Sequence, residues 1–394
     1  MSKPVVAVIF GSRSTEHDVS IVTALASVVR PLRAVGNYEV MPVYIAKDGR
    51  WYADTALGDI ELFSSGGITD WLRHHRPIRL EVGEGLRLVW PGLRPRTVVV
   101  DVVFPALHGA NGEDGALMGL LEMAGVPYVG CGVAASAIAM DKVLTKQVCQ
   151  SQGIAVTPYV SFMKHEYESD PDEYVTRINR TLRYPLFVKP AHLGSSIGIT
   201  KVGDPTELAN AIEVALHYDD RALVEQAVTD LTEVTLPIMG NDSLRPALLE
   251  QPLVGGEDFF DFDTKYMHGG KKGKAGKPAA DGAKGEAGAQ GYSRLPADLE
   301  PALYAKAEAT GLAVYRALGC SGIARVDMLI DNGSGEVYCN EVNPLPGSLY
   351  QHNWNRAGVS GVKLVAELIS LAHERQAGRS DMDMVFTTNF LKQF

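Results

Sequence analysis

Val5-Val6-Ala7-Val8-Ile9-Phe10-Gly11-Ser12-Arg13-Ser14-Thr15-Glu16-His17-Asp18 opens the chain with six apolar residues, a glycine-serine turn and a polar cluster. An unbroken apolar run of this length is what a strand buried on both faces requires. Thr15 and Asp18 then read as a capping box, and Val19, Val22, Leu25 and Val29 recur at helical spacing. Strand, turn and helix in that order begin a doubly wound α/β unit. Working outward, residues 38–45 and 98–105 supply further strands, with a less regular stretch near 50–95. Residues 1–132 are therefore expected to form one α/β domain around a parallel sheet.

Beyond Pro127-Tyr128-Val129-Gly130, a helix is expected over 134–150, ending near Gly153. A strand at 186–188, a Gly/Ser loop and a helix at 205–217 complete a smaller second domain, 133–224. Residues 225–394 form a third, with a helix at 301–318, a hairpin and a closing helix near 361–375. One insertion, about 268–292, has glycine at positions 270, 273, 276, 282, 285, 288 and 291, with Ala279 in the skipped slot. Collagen needs three chains and an unbroken register, so a lysine-rich loop is expected instead.

The chain has 394 residues, enough for two or three cores. Its formal net charge of −10 argues against broad nucleic-acid binding, which needs a basic footprint. The four cysteines, Cys131, Cys149, Cys320 and Cys339, show neither CxxC nor metal spacing. No apolar run approaches a membrane span and no signal segment is visible, so a soluble cytoplasmic protein is expected.

Residues 323–330 alternate, placing Arg325 and Asp327 on one face. The hairpin formers Asp331-Asn332-Gly333-Ser334-Gly335 follow, and Glu341 and Asn343 share a face on the return strand. Counting back from the turn sets Asp327 within about two residues of directly opposite Glu341. Facing carboxylates are destabilising without a positive partner, and two carboxylates plus an amide suit Mg²⁺ bridged to phosphates. A solvated sheet face salted by Arg325 is the plainer reading. Lys189 ends the strand Leu186-Phe187-Val188 and precedes Gly194-Ser195-Ser196-Ile197-Gly198, a loop whose backbone could approach phosphates closely. Lys142 and Lys146 share a helical face, and Glu225 and Glu233 bracket a short link between domains. His108-Gly109-Ala110-Asn111-Gly112-Glu113-Asp114-Gly115 follows a buried strand, where an open α/β sheet exposes its crevice.

These stretches resemble the D-alanine–D-alanine ligases, members of the ATP-grasp superfamily, over nearly the whole chain. The likeness rests on GSRSTEHDVS (11–20), HGANGEDGALMGLLEMAGVPYVGCG (108–132), Met140-Asp141-Lys142, FVKPAHLGSSIG (187–198), FFDFDTKY (259–266), Arg325-Val326-Asp327 and EVNPLPG (341–347). It implies an α/β, ATP-grasp architecture of three domains with ATP between the second and third. It implies that Lys142 and Lys189 hold phosphates, and that Glu225 and Glu233 hold the adenine and ribose ends. Ser195, Ser196, Gln226, Val228 and Lys265 would complete the nucleotide site. Asp327, Glu341 and Asn343 would ligate two Mg²⁺ ions, with Mn²⁺ an acceptable substitute. Glu16 would bind the first substrate's ammonium, tied to Ser195 and Tyr266, with His17 and His108 nearby. Arg325 and the Gly347 backbone N–H would stabilise an oxyanion. The activity implied is ATP-dependent formation of D-alanyl-D-alanine through an acyl phosphate, for peptidoglycan precursor synthesis, in a homodimer.

Three features depart from that family. His352, within Ser348-Leu349-Tyr350-Gln351-His352-Asn353-Trp354, falls where most relatives carry a serine for the second substrate's carboxylate. The glycine-periodic insertion follows directly after Tyr266. The link between Glu225 and Glu233 is about one residue longer than usual. Tyr266 favours an amine over a hydroxy acid as acceptor. A carboxylate–amine or carboxylate–hydroxyl ligase with another second substrate stays open, as does a non-catalytic ATP-binding scaffold. A dinucleotide oxidoreductase lacks its GxGxxG after the first strand.

Overall fold

The computed structural model describes residues 3–194, 196–253, 293–380 and 387–394. The glycine-periodic insertion, Ser195, Lys265 and Tyr266 lie outside them. The first sheet contains β1 (Val5–Gly11), β2 (Glu39–Ile45) and β3 (Trp51–Ala53). A separate antiparallel sheet contains β4 (Arg79–Gly83), β5 (Gly85–Trp90) and β6 (Arg96–Val100), after which β7 (Val102–Pro105) returns to the first. The order β3-β2-β1-β7 places β1 between two parallel neighbours, as its apolar run predicts. The single strand expected at 98–105 is instead split between two sheets at Asp101. Its Oδ2 accepts from Val5 N at 2.7 Å and its backbone N–H donates to Val5 O at 3.0 Å, which locks the crossover.

The capping box expected at Thr15 and Asp18 does not form. The helix begins at His17 after Glu16, with no side-chain cap. Ser14 Oγ is already committed, donating to His108 O and accepting from Glu16 N. The helix continues through a π-helical stretch, Thr23–Val29, and Val22 just before it is exposed.

The expected helix at 134–150 is two helices, Val133–Met140 and Lys142–Ser151. Asp141 between them is extended and its Oδ1 accepts from Val143 N at 2.8 Å and Leu144 N at 3.0 Å. A strong N-cap thus restarts the helix with Lys142 at its first position. The second sheet has the order β10-β9-β11-β8, from β8 (Tyr159–Met163), β9 (Leu186–Pro190), β10 (Thr200–Val202) and β11 (Arg221–Gln226). It therefore runs two residues past position 224.

The third sheet, β13-β12-β16-β17, comprises β12 (Leu231–Met239), β13 (Arg245–Pro246), β16 (Ile323–Asp331) and β17 (Glu336–Asn343). A short pair, β14 (Gln251–Pro252) and β15 (Ser293–Arg294), flanks it. Val6, Phe104 and Val129 share one core with Ile323, Leu345, Trp354, Leu364 and Leu368 near the end of the chain. Val160, Val188 and Val224 of the second sheet and Ile212 of the helix Leu208–Tyr218 form a core apart. The helix pair 133–151 packs through Ala135, Ala139 and Cys149 on the third sheet, while Val143 touches Ala191 and Leu223 of the second. Lys142 is thereby wedged between two sheets.

Candidate active site

Asp327 and Glu341 are direct partners across β16 and β17, and Arg325 faces Asn343. The offset of about two residues allowed by sequence counting is zero, with a bulge following between Asp327 and Met328. Arg325 donates Nε to Asp327 Oδ1 at 2.8 Å and NH2 to Oδ2 at 2.6 Å, a bidentate pair. Asn343 Nδ2 reaches the same Oδ2 at 3.1 Å. Burial opposes the charge on Arg325, but Asp327 foremost, with Tyr350 and Glu341, raises its pKa above the ordinary value. Two carboxylates and an amide on one sheet face are the donor set that hard divalent cations take.

Lys142 approaches this face from the wedged helix, and two further lysines, Lys146 and Lys189, gather on Glu225 of the second sheet. Lys142 Nζ donates to Leu193 O and lies 4.0 Å from Glu341 Oε2. Its backbone N–H donates to Ala191 O at 3.0 Å, so the helix start and the loop after β9 are held together. Lys189 Nζ pairs with Glu225. Lys146, only 1 % exposed, donates to Thr157 Oγ1 and to Glu225 Oε2, both at 2.8 Å. Thr157 Oγ1 in turn donates to Glu225 Oε2 at 2.9 Å. Burial alone would raise the pKa of Glu225, yet the two ammonium groups hold it well below the usual carboxylate range. Sequence reading assigned no role to Lys146; its i+4 spacing from Lys142 was the available signal. The Lys146–Glu225–Lys189 cluster keeps one surplus positive charge in a buried setting, and lysines are almost never fully buried without such pairing.

The loop after β1 meets the loop after β7. A methyl group built on Gly109 would come 2.9 Å from Glu16 Oε2, and one on Gly194 would come 3.7 Å from the same oxygen. The Glu16 carboxylate thus lies between the two glycine loops. His17 turns inward instead: Nδ1 is 2.6 Å from Ser12 O and Nε2 is 3.0 Å from Tyr44 Oη, so both ring nitrogens are engaged within the fold. Burial lowers its pKa, which keeps the ring neutral. His108 is also buried, with Nε2 2.8 Å from Thr23 Oγ1, and that hydroxyl accepts from Ser348 N at 2.9 Å. His108 therefore braces the segment after Gly347. Glu113 accepts from Gly109 N at 2.7 Å, while Asp114 accepts from Asn111 N and Ala116 N, so these two acids shape their own turn. Among the described residues nothing lies within 4 Å of a methyl group built on Gly347, apart from its chain neighbours.

Ser348, Leu349 and Tyr350 all have positive φ, 50°, 53° and 53°, an unusual run without glycine. It brings Tyr350 Oη within 3.2 Å of Thr235 Oγ1 and lays the ring 5.1 Å from the Arg325 guanidinium. His352 Nε2 lies 2.8 Å from Glu250 Oε2, and the buried Glu250 also accepts from Ser293 Oγ at 2.6 Å and Asn353 Nδ2 at 3.2 Å. One ring nitrogen of His352 is thus occupied by a protein carboxylate. Among the residues that the family resemblance assigns to the nucleotide, Ser196 stands at φ 59° in the loop after β9. Gln226 accepts from Arg183 N at 3.1 Å, Val228 is half-buried just past β11, and Glu233 faces Leu329 across β12 and β16. Among the described residues no helix is long and apolar enough to cross a membrane.

The family description "D-ala D-ala ligase N-terminus" matches residues 5–131, and "D-ala D-ala ligase C-terminus" matches residues 148–370. A D-alanine–D-alanine ligase from Chlorobium phaeovibrioides is 36 % identical over 386 residues, 95 % of this chain and 98 % of the relative. Another, from Chlorobium luteolum, is 38 % identical over 388 residues, covering 96 % of this chain and all of its own length. The solved D-alanine–D-alanine ligase of Coxiella burnetii superposes with a TM-score of 0.78 at 28 % identity, covering 96 % of this chain and 97 % of that one. The VanG D-Ala:D-Ser ligase of Enterococcus faecalis gives a TM-score of 0.75 at 31 % identity, covering 94 % and 100 %. Matched in both halves and along nearly its whole length, the chain belongs to the D-alanine–D-alanine ligase family of ATP-dependent ligases.

Proposed function

We propose that this chain forms D-alanyl-D-alanine from two D-alanines, ATP and Mg²⁺ in the cytoplasm, for peptidoglycan precursor synthesis. The carrying observation is Asp327 directly opposite Glu341, bordered by Arg325 and Lys142, with a second cluster of Lys146 and Lys189 on Glu225 that has a positive surplus. Asp327, Glu341 and the Asn343 amide oxygen would hold magnesium, which would spread the charge of the migrating γ-phosphoryl group. Lys142 and Lys189 fix the phosphates, with Ser195, Ser196 and Lys265 beside them. Gln226, Val228 and Glu233 border the base and ribose, over the floor set by Glu225. Glu16 receives the ammonium of the first D-alanine, next to Ser195 and Tyr266. The carboxylate oxygen of that D-alanine attacks the γ-phosphorus, ADP leaves, and an acyl phosphate of the first D-alanine results. The amine of the second D-alanine then attacks the acyl carbon. Arg325 and the Gly347 N–H stabilise the resulting oxyanion, and inorganic phosphate departs with the proton lost by the amine. We group the chain as 1–132, 133–224 and 225–394, and take it to act as a homodimer.

A second reading concerns the acceptor alone. His352 stands on Glu250 rather than free, and one related structure is named as a D-Ala:D-Ser ligase. The test is the mass of the product made from ATP, Mg²⁺ and an equimolar mixture of D-alanine, D-serine and D-lactate. D-alanyl-D-alanine should dominate. A dominant mixed product would retain the ligase and replace the second substrate; no ATP-dependent product would remove the proposal.

A further inference from the structure

β9 ends at Pro190, and the loop that follows bends at once through His192. Three carboxylates meet this residue. Its backbone N–H donates to Asp219 Oδ2 at 2.7 Å and its ring Nδ1 lies 2.9 Å from Asp219 Oδ1. Ring Nε2 lies 3.4 Å from Asp141 Oδ2, and Asp220 Oδ1 is 3.9 Å from Nδ1. Asp141 is the residue that caps the helix carrying Lys142 and Lys146. Asp219 precedes β11, the strand of Glu225. Arg221 closes the cluster, its NH1 3.0 Å from Asp141 Oδ2 and its backbone N–H 3.4 Å from Asp219 Oδ1.

We propose that His192 is a positioning residue for the nucleotide, its imidazolium tying the loop after β9 to the start of the Lys142 helix and to β11. The inference rests on the ATP site proposed above. Two effects follow from one side chain. The first is geometric: Lys142 reaches Leu193 O and Ala191 O, so any slack at His192 is transmitted to the lysine and to the loop. The second is electrostatic. Asp141, Asp219 and Asp220 outnumber Arg221, so a neutral ring would leave a net charge of −2 beside an incoming triphosphate, and a charged ring leaves −1. The accepting carboxylates of Asp141 and Asp219 raise the His192 pKa to about 10 despite the opposing effect of burial, so the ring stays charged at neutral pH. Ligand atoms of His192, Asp219 and Asp220 also lie within 4.8 Å of one another, as a metal site would require. A metal would need the neutral ring, whereas the Nδ1 hydrogen bond to Asp219 and the Nε2 ion pair with Asp141 already satisfy the cationic one.

The test uses full-length His192→Gln, His192→Arg and Asp219→Asn. Calorimetric titration with Mg-ADP reads nucleotide binding without any acyl substrate, and steady-state rates give KM for ATP and for D-alanine separately. His192→Gln and Asp219→Asn should weaken Mg-ADP and raise KM for ATP about ten- to hundredfold, since small misplacements of positioning groups have effects of that size. KM for D-alanine should stay within about twofold, and His192→Arg, which keeps the charge, should recover most of the binding. In the wild type, the ring proton resonances that disappear in His192→Gln should not titrate between pH 6 and 8.5. Unchanged Mg-ADP affinity in His192→Gln, failure of arginine to rescue it, or a ring titrating near its ordinary value would each overturn the inference. If the product differs from D-alanyl-D-alanine, the substrate reading falls, while the Mg-ADP titration still judges His192.

Discussion

Replacing Glu225 by glutamine keeps the shape of the side chain and deletes its charge. In the wild-type cluster Lys146 and Lys189 contribute +2 and Glu225 −1, at exposures of 1 %, 7 % and 2 %. The variant leaves both ammonium groups buried with no counter-charge, and the amide NH₂ turns a donor towards one of them. Leaving a buried charge uncompensated costs about 3–5 kcal/mol. The amide oxygen still accepts from one lysine, which points to about 3 kcal/mol. For a chain of 394 residues unfolding as one unit, at about 2 cal/mol/K per residue, that corresponds to a melting temperature lower by roughly 3–4 °C. Differential scanning fluorimetry at pH 7.5 without nucleotide reads it. Adding Lys146→Met to Glu225→Gln restores the surplus to +1, so the double variant should be more stable than the sum of the two singles predicts, by about 1 kcal/mol or more. Strict additivity, or a Glu225→Gln variant that melts with the wild type, would refute the charge-cluster reasoning.

Glu341→Gln should cut ATP-dependent phosphate release at least about a hundredfold with an unaltered melting temperature, since metal ligation contributes several kcal/mol to such transfers; a normal rate across a Mg²⁺ titration would remove the metal assignment. Arg325→Lys keeps the charge but loses the bidentate fork to Asp327, and kcat should fall about 10²–10³-fold with little change in KM for ATP; an unchanged kcat would argue against the oxyanion role. Glu225 is held below the ordinary carboxylate range, so its contribution to stability is full above the unfolded value of about 4.5 and is lost as pH falls below that. Wild-type melting temperature should therefore decline between pH 5 and 3.5 more steeply than that of Glu225→Gln, and equal acid slopes would contradict the pairing.

The hairpin was legible because its turn and its alternation are local: Asp331 to Gly335 fix the count, and Asp327 meets Glu341. β1 was legible for the same reason, since six apolar residues specify burial on both faces. What escaped depended on partners far along the chain. Asp101 breaks a continuous apolar run because it bonds to Val5, which lies 96 residues away. Asp141 interrupts a good helical pattern because its carboxylate serves both a cap and the cluster around His192. His17 resembled a site residue by position, but only the fold reveals Ser12 and Tyr44 at its two nitrogens. Lys146 was read as a helical lysine among others, and its burial follows from Thr157 and Glu225 arriving from another sheet.

The unequal sharing of cores has a mechanical consequence. A continuous apolar body joins Val6 and Phe104 to Trp354 and Leu368, so the first sheet and the end of the chain form one anvil. Gly322 even approaches the Gly130 backbone so closely that a methyl group there would lie 2.9 Å from Gly130 N, and Arg375 clasps the Tyr128 and Gly130 carbonyls. The second sheet, with a core of its own, is the jaw that can swing away at the least loss of apolar contact. Any such swing would bend the chain at residues 151–158 and 226–231, where it enters and leaves the second sheet, and not at the Asp327–Glu341 hairpin.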